Sequence, residues 1–291
     1  MATAAEWLEG ARPRTLPAAV SPVLAGSGIA WYYGGFDLGL AVLAAVVALA
    51  LQVGVNFAND YSDGIRGTDA DRVGPLRLVG SGAAAPRTVK LAAFACFGVA
   101  ALAGGAIVLL TGWWWLIAVG AAAILAAWFY TGGPRPYGYA GLGELFVFVF
   151  FGLVAVAGTI AIQLGQVPPA GWWAAVAVGA LACAILVANN LRDRVGDLAA
   201  GKRTLATRLG DRGTRWFFAG LVAVAGIAVL GVAATSAWLA LLGLAMAPVM
   251  VLPVARVLGG ATGRDLIEVL KATGIGELVC AAGLLVGLVV A

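Results

Sequence analysis

Residues 56–79, which read NFANDYSDGIRGTDADRVGPLRLV, decide the fold because they place an acidic cluster directly after an apolar run over residues 38–55. The stretch holds four of the 14 acidic residues of the chain, Asp60, Asp63, Asp69 and Asp71. If the apolar helix continues, an i, i+3, i+4, i+7 spacing places one polar stripe on its surface, made of Asn56, Asn59, Asp60 and Asp63. Gly64 and Gly67 are then predicted to end the helix and to leave Asp69 on a loop. Carboxylates at the end of a membrane helix are costly unless they bind a cation or serve another function.

The composition is that of an integral membrane protein. Of the 291 residues, 62% are hydrophobic and 11% are charged, whereas about 25% are charged in soluble domains. Repeated apolar runs of about 20 residues fit helices and not barrel strands, so we expect an all-α, polytopic protein. The absence of histidine excludes His-ligated metals and His acid–base catalysis, and the three cysteines form no CxxC motif. We expect one domain over residues 1–291, embedded in the lipid bilayer, with no nucleic-acid partner.

The charge distribution predicts the topology. Nine apolar segments cover residues 16–33, 38–58, 88–110, 113–130, 142–163, 172–190, 214–234, 236–257 and 271–290. All 18 Lys and Arg residues lie before segment 1, in the connections 2–3, 4–5, 6–7 and 8–9, or within three residues of the segment ends that adjoin these connections. Because cytoplasmic loops carry the excess of Lys and Arg, this pattern predicts nine transmembrane helices with a cytoplasmic N-terminus and an outer C-terminus. The acidic stretch would then lie at the cytoplasmic face of the cell membrane.

A second acidic cluster follows the sixth segment, where residues 189–210 read NNLRDRVGDLAAGKRTLATRLG. Asn190, Asp193 and Asp197 are spaced i, i+3 and i+7, which again places them on one helical face. Two carboxylate stripes thus end on the same membrane side. Mg²⁺ prefers oxygen ligands and usually takes one or two carboxylates together with phosphate oxygens. The two clusters therefore predict a divalent-metal site around a diphosphate, with the remaining phosphate charge neutralised by nearby basic residues, namely Arg66, Arg72, Lys202 and Arg203.

These motifs resemble the UbiA superfamily of intramembrane aromatic prenyltransferases. Three further strings carry a narrower similarity to the branch that prenylates 1,4-dihydroxy-2-naphthoate in menaquinone synthesis: RPRTLPAAVSPVLAG (residues 12–26), NDYSDGIRGTDADRVGPLRLV (59–79) and YTGGPRPYGYAGLGELFVFVFFG (130–152). The resemblance implies a nine-helix bundle in which an isoprenyl chain moves from a polyprenyl diphosphate to the naphthoate ring. Diphosphate and CO2 would leave, and the product would be demethylmenaquinol.

The resemblance also implies roles for individual residues. Mg²⁺, for which Mn²⁺ could substitute, would be held by Asp60, Asp63, Asp69, Asp193 and Asp197. Four of these, Asp60, Asp63, Asp193 and Asp197, are the expected catalytic residues. Substrate binding is expected from Asn56, Asn59, Arg66, Arg72, Arg135, Tyr137, Tyr139, Asn190, Lys202 and Arg203. The sequence departs from the family pattern at two positions, because Asp69 follows Asp63 by six residues instead of four and Asn190 stands where Asp is common. Asp71 is thus an alternative to Asp69.

Several alternatives remain open at this point. Arg135 or Arg12 could pair with the carboxylate of the acceptor, and Tyr137, Tyr139, Glu144 or the released diphosphate could accept a phenolic proton. The same chemistry could act on another acceptor, such as 4-hydroxybenzoate. A membrane transporter is a remote alternative, since transporters tend to place polar sites near the bilayer midplane, whereas these carboxylates are predicted at one membrane face.

Overall fold

The computed structural model of the protein describes residues 2–67 and 76–291, and all regular secondary structure in these ranges is helical. The all-α prediction is therefore confirmed. In chain order, the helices are α1 (Ala4–Gly10), α2 (Pro17–Tyr32), α3 (Leu38–Arg66), α4 (Pro86–Thr111), α5 (Leu116–Phe129), α6 (Gly143–Val147), α7 (Gly158–Leu164), α8 (Pro169–Ala199), α9 (Leu205–Thr235), α10 (Met246–Leu258) and α11 (Asp265–Val289). A π-helical segment, Phe148–Ala157, joins α6 to α7, and a 3-10 segment, Trp238–Ala245, leads into α10.

Within the described ranges, seven helical stretches are long and apolar enough to cross a membrane. They are α3, α4, the continuous span Gly143–Leu164, α8, α9, the continuous span Trp238–Leu258 and α11. The other two predicted segments correspond to shorter helices, α2 with 16 residues and α5 with 14. Large apolar side chains such as Leu102 and Leu109 point outward on α4 and are more than 70% exposed. Such side chains suit a lipid environment, because apolar surface of this kind is unfavourable in water.

Helix α3 is longer than predicted and carries the first acidic motif within its last turns. It runs through Asp60 and Asp63 to Arg66, and Gly67 ends it with a left-handed φ of 70°. Gly64 lies inside the helix and does not end it, contrary to the expectation from sequence. Glycine is needed at position 64 for a steric reason. A Cβ there would come within 2.4 Å of Val79 Cγ1. The chain at Val79 and Gly80 thus packs directly against the end of α3.

Helix α8 lies at the centre of the bundle. Small residues dominate its buried surface, and it packs against α9, the π-helical segment and α11. At the crossing with the π-helical segment, Gly179 meets Gly152, and a Cβ added to Gly152 would lie 2.8 Å from the Gly179 Cα. Helices approach this closely only where side chains are small. The second acidic motif is thereby placed at the end of a helix that is largely buried in the bundle.

Candidate active site

The ends of α3 and α8 meet at a single ammonium group. Lys202 Nζ lies 3.6 Å from Asp63 Oδ1 and 3.7 Å from Asp197 Oδ1. All three side chains are largely buried, with between 8% and 14% of each exposed. One carboxylate from each predicted motif is therefore directed at the same point, and a positive charge occupies that point.

The turn after α8 brings Lys202 back over the helix that precedes it. Gly201 has a φ of 72°, which residues with a side chain rarely adopt. The reversal allows the Lys202 backbone N–H to donate to the Asp197 carbonyl oxygen at 2.8 Å. Thr204 then caps the start of α9. A basic side chain three residues past the end of α8 is thus directed to the helix end itself and not into solvent.

The connection between α5 and α6 supplies the third side of the site. Tyr139 lies on a 3-10 turn, Tyr137–Ala140, and its hydroxyl donates a hydrogen bond to Asp63 Oδ1. Lys202 Nζ lies 4.4 Å from the centre of the Tyr139 ring, a cation–π contact. The Arg203 backbone N–H donates to the Tyr139 carbonyl oxygen at 2.9 Å. Tyr139 therefore ties the two acidic motifs together.

Two further residues of the first motif bind the same connection. The guanidinium of Arg66 donates to the carbonyl oxygens of Thr131 and Gly133 and lies 5.5 Å from the centre of the Tyr139 ring. Asn59 Oδ1 accepts a hydrogen bond of 2.7 Å from the Thr131 hydroxyl. The residues at 59, 63 and 66 thus form one face of α3 that packs on the α5–α6 connection.

The remaining residues of the predicted stripe face a different neighbour. Asn56 Nδ2 donates to the Ala11 carbonyl oxygen at 2.9 Å and to Thr15 Oγ1 at 3.0 Å. Asp60 is fully buried, and its two carboxylate oxygens accept the backbone N–H groups of Leu78 at 2.7 Å and Val79 at 3.0 Å. The single stripe predicted from the spacing is therefore two faces. One holds the N-terminal segment and the chain at 78–79, and the other faces Tyr139 and Lys202.

The second motif is also divided between neighbours. Asp193 forms a two-point ion pair with Arg192, with distances of 2.7 Å and 2.8 Å. Asn190 Nδ2 donates to Glu144 Oε1 at 2.9 Å, deeper in the bundle than Asp197. Tyr137 donates its hydroxyl to the Ala126 carbonyl oxygen at 2.8 Å. Arg135 and Arg203 are exposed to solvent.

Three residues named from the sequence, Asp69, Asp71 and Arg72, lie outside the described residues. Conversely, the structure brings in Thr131 and Arg192, which the sequence interpretation did not select. The Thr131 contact depends on a carbonyl and a hydroxyl in a loop, and no spacing rule identifies such partners. Arg192 is next to Asp193 in the sequence, where it could equally serve only as a basic residue at the membrane surface. Its pairing with the Asp193 carboxylate is visible only in three dimensions.

The tyrosines of the site are hydrogen-bond donors at neutral pH. Burial, followed by the negative charge of Asp63, raises the pKa of Tyr139 well above its ordinary value. Burial raises the pKa of Tyr137 in the same direction. A phenol with a raised pKa stays protonated below pH of about 10, so it cannot accept a proton from another phenol. Of the bases named from the sequence, Glu144 and the released diphosphate remain.

The donor set fits a hard divalent cation shared with a ligand. Across residues 2–67 and 76–291, no three Asp, Glu or Cys side chains gather as a metal cage made only of protein would require. A Mg²⁺ ion that also binds phosphate oxygens needs only one or two carboxylates. Asp63 and Asp197, from different helices, already converge on one cationic group. The oxygen chemistry and the convergence both match such an ion.

Comparisons with known proteins agree with this arrangement. The model of the UbiA prenyltransferase family matches residues 19–270. A 1,4-dihydroxy-2-naphthoate octaprenyltransferase of Mycobacterium tuberculosis is 54% identical over 281 residues, covering 97% of this chain and 96% of the relative. The protein of the same name in Mycobacterium leprae is 48% identical over 281 residues, covering 97% and 95%. The solved structure of a UbiA homologue from Archaeoglobus fulgidus bound to GPP and Mg²⁺ has the same fold, with a TM-score of 0.69 at 16% identity over 98% of this chain and all of that one.

Proposed function

The chain belongs to the UbiA prenyltransferase family, and from this premise we propose that it transfers a long isoprenyl chain from a polyprenyl diphosphate to 1,4-dihydroxy-2-naphthoate. Diphosphate and CO2 leave, and the product is demethylmenaquinol, an intermediate of menaquinone biosynthesis. The observation that carries this proposal is the 54% identity over 281 residues to a relative named for this reaction, with almost the full length of both chains covered.

The diphosphate of the donor binds between the ends of α3 and α8. The proposal rests on the convergence of Asp63 and Asp197 there. We assign Mg²⁺ to these two carboxylates, with Asp60, Asp69 and Asp193 as the further carboxylates of the two motifs and Mn²⁺ as a substitute ion. When bound, the metal neutralises the departing diphosphate as a Lewis acid.

The basic and aromatic residues around the carboxylates have separate roles in this proposal. Lys202 exchanges its carboxylate partners for phosphate oxygens when the donor binds, and Arg72 and Arg203 add positive charge from the adjoining loops. Tyr139 holds Asp63 through its hydroxyl and offers its ring face to the allylic cation. Arg66 holds the α5–α6 connection in place through the carbonyl oxygens of Thr131 and Gly133.

The acceptor binds on the membrane side of the diphosphate. Asn56, Asn59 and Asn190 shape that boundary through their hydrogen bonds to neighbouring segments. Arg135 is exposed at the entrance, where it can attract the carboxylate of the acceptor, and Tyr137 packs against Phe146 with ring centres 4.0 Å apart. The C–O bond of the donor breaks with its electron pair leaving on the diphosphate, and the ring carbon forms the new C–C bond.

The membrane topology forms part of the proposal. Counting α2 and α5 with the seven longer spans gives nine crossings of the cell membrane, with the N-terminus cytoplasmic and the C-terminus outside. The positions of all 18 Lys and Arg residues support this orientation, which places the site at the cytoplasmic face. Residues 1–291 act as one catalytic unit.

The experiment that tests the function is a choice between acceptors. Purified protein in lipid nanodiscs is supplied with Mg²⁺, a polyprenyl diphosphate and either 1,4-dihydroxy-2-naphthoate or 4-hydroxybenzoate. We expect a prenylated, decarboxylated product from the naphthoate alone, identified by mass spectrometry. Turnover of 4-hydroxybenzoate without turnover of the naphthoate would overturn the assignment while leaving the metal–diphosphate site intact.

A further inference from the structure

Two buried glutamates lie inside the bundle beyond the metal–diphosphate site. Glu144 is at the start of α6, and Glu277 is near the middle of α11. Glu144 is 6% exposed and Glu277 is fully buried. Among the described residues, Glu144 Oε2 and both carboxylate oxygens of Glu277 have no hydrogen-bond partner. Buried polar atoms are almost always hydrogen-bonded, so three such oxygens in one protein interior require an explanation.

A stripe of α8 connects these glutamates to the donor site. Cys183, Asn190 and Asp197 are spaced seven residues apart and therefore lie on one face of the helix. Asp197 contacts Lys202 at the membrane surface. One level deeper, Asn190 donates to Glu144 Oε1 at 2.9 Å, and the Cys183 thiol donates to the Glu144 backbone carbonyl at 3.1 Å. Helix α11, which carries Glu277, packs against α8.

Stability alone does not account for these side chains. An intramembrane glutamate without a partner weakens the fold, and apolar residues of similar volume would pack as well or better. Ionisable residues within membrane spans usually belong to a functional site for this reason. A ligand that donates hydrogen bonds would satisfy the oxygens. A diphosphate cannot do so, because it carries negative charge and offers no donor.

We propose that Glu144 and Glu277 form the inner, polar end of the acceptor pocket and accept a hydrogen bond from the C4 hydroxyl group of the acceptor, the hydroxyl that is not adjacent to the carboxylate. This inference rests on the proposed function, since it assigns the orientation of the dihydroxynaphthoate. The carboxylate of the acceptor is directed outward to the basic residues at the cytoplasmic face, where it finds cationic partners that the buried end of the pocket lacks. The ring is held between these two ends, next to the site where the isoprenyl cation forms.

The orientation determines which acceptors bind. A compound that keeps the carboxylate but lacks the distal hydroxyl leaves the glutamate oxygens without a donor. Sites built to hydrogen-bond a substrate hydroxyl strongly reject analogues that lack it. The matched probe is 1-hydroxy-2-naphthoate, which retains the carboxylate and the neighbouring hydroxyl. The wild-type protein should bind this compound at least about ten-fold more weakly than 1,4-dihydroxy-2-naphthoate.

The test compares both compounds on Glu277→Met and Glu144→Met. For each variant, calorimetry gives the Kd of the two naphthoates, and steady-state kinetics gives the KM of the acceptor and of the polyprenyl diphosphate. We expect the Kd of the dihydroxy compound to rise at least about ten-fold, so that the preference over the monohydroxy compound disappears. The KM of the donor should change less than about two-fold, because the donor touches neither residue. Glu268→Gln, an exposed position on the same helix, is the control and should leave both constants unchanged.

The outcomes separate this inference from the proposed function. Removing the unpartnered carboxylate of Glu277 should leave the melting temperature equal or higher, so weaker acceptor binding in this stable variant supports the pocket. Glu144→Met also removes the acceptor of Asn190 and should lower the melting temperature. Should a methionine variant not fold, the glutamine variant, which keeps one acceptor oxygen, should show a smaller loss of the same preference. An unchanged preference in all folded variants would overturn the inference. A wild-type protein that binds the dihydroxy compound through these residues but does not prenylate it would overturn the proposed reaction and leave the pocket standing.

Discussion

Replacing Lys202 with methionine tests the convergence of the two acidic motifs. The change removes the ammonium group that lies 3.6 Å from Asp63 and 3.7 Å from Asp197 and keeps most of the side-chain volume. Removing one partner of a buried ion pair costs about 3–5 kcal/mol, because the opposite charge stays in a poorly solvated place. The Lys202 side chain is 14% exposed, so we expect a loss of about 3 kcal/mol, at the lower end of that range.

The loss should depend on whether a divalent cation and diphosphate are present. In EDTA, the variant should melt at a lower temperature than the wild type, because two carboxylates face each other without the shared ammonium. With Mg²⁺ and inorganic diphosphate added, the cation neutralises both carboxylates and the difference in melting temperature should shrink. Thermal unfolding followed by tryptophan fluorescence in nanodiscs measures both conditions.

Two controls make this result interpretable. Lys202→Arg keeps the positive charge and should retain most of the stability in EDTA. Lys271→Met removes an exposed lysine and should change the melting temperature little in either condition. A Lys202→Met variant as stable as the wild type in EDTA, or one equally destabilised with and without Mg²⁺, would refute the idea that the ammonium and the metal occupy one electrostatic site.

Three further predictions concern the carboxylates, the tyrosine and the metal. Asp193→Asn should abolish turnover in the assay with Mg²⁺ and should also lower the melting temperature, because the buried Arg192 loses its two-point ion pair. Asp60→Asn should abolish turnover and also lower stability by about 1–3 kcal/mol, because its amide N–H2 would face the backbone N–H of Leu78 or Val79; a melting temperature equal to that of the wild type would contradict the anchoring role of Asp60. Tyr139→Phe should lower kcat/KM by about ten-fold by loosening Asp63, and its pH profile between pH 6 and 9 should run parallel to that of the wild type. The raised pKa of Tyr139 means that its neutral form is kept throughout this window and is lost only as the pH rises through that pKa. If the activity of the wild type rises or falls with pH in this window and that of the variant does not, the result would count against this interpretation. Finally, exhaustive EDTA treatment should remove activity and added Mg²⁺ should restore it, and full activity after chelation is incompatible with the proposed site.

The prediction that Asp60→Asn also affects stability differs from what the sequence alone suggests. From the motif, Asp60 is one of several equivalent carboxylates at a helix end. In the structure, it also holds the backbone at Leu78 and Val79, where the chain returns beside Gly64. A carboxylate has about four lone-pair positions, so binding two backbone N–H groups leaves capacity for a metal. Loss of activity in this variant therefore has two physical causes, the loss of a proposed metal ligand and the loss of the anchor for the backbone at Leu78 and Val79.

The local pattern of the sequence determined the helices and their order. Apolar runs, the positions of the Lys and Arg residues and the glycines at helix ends depend on neighbouring residues and on the bilayer, so they are readable without tertiary contacts. The nine predicted segments correspond to helices in the structure, with ends that differ by up to nine residues. The sequence predicted the extension of α3 past its apolar run only as a condition for the polar stripe. Such an extension requires hydrogen-bond partners for four polar side chains, Asn56, Asn59, Asp60 and Asp63. The two Asp motifs were likewise visible as spacing.

Only the tertiary structure decided which of these residues face one another. One helical stripe became two faces because the N-terminal segment packs on the Asn56 side of α3 and the α5–α6 connection packs on the Asp63 side. Tyr139 contacts the first motif through a hydrogen bond to Asp63, which lies 76 positions earlier in the sequence. Glu277 is buried because α11, which carries it, packs against α8. Such contacts depend on how helices pack side by side, which is set by side-chain volume over the whole interface and not by any short pattern. The sequence therefore identified the chemical groups of this site, and the packing of the bundle assigned each group its partner.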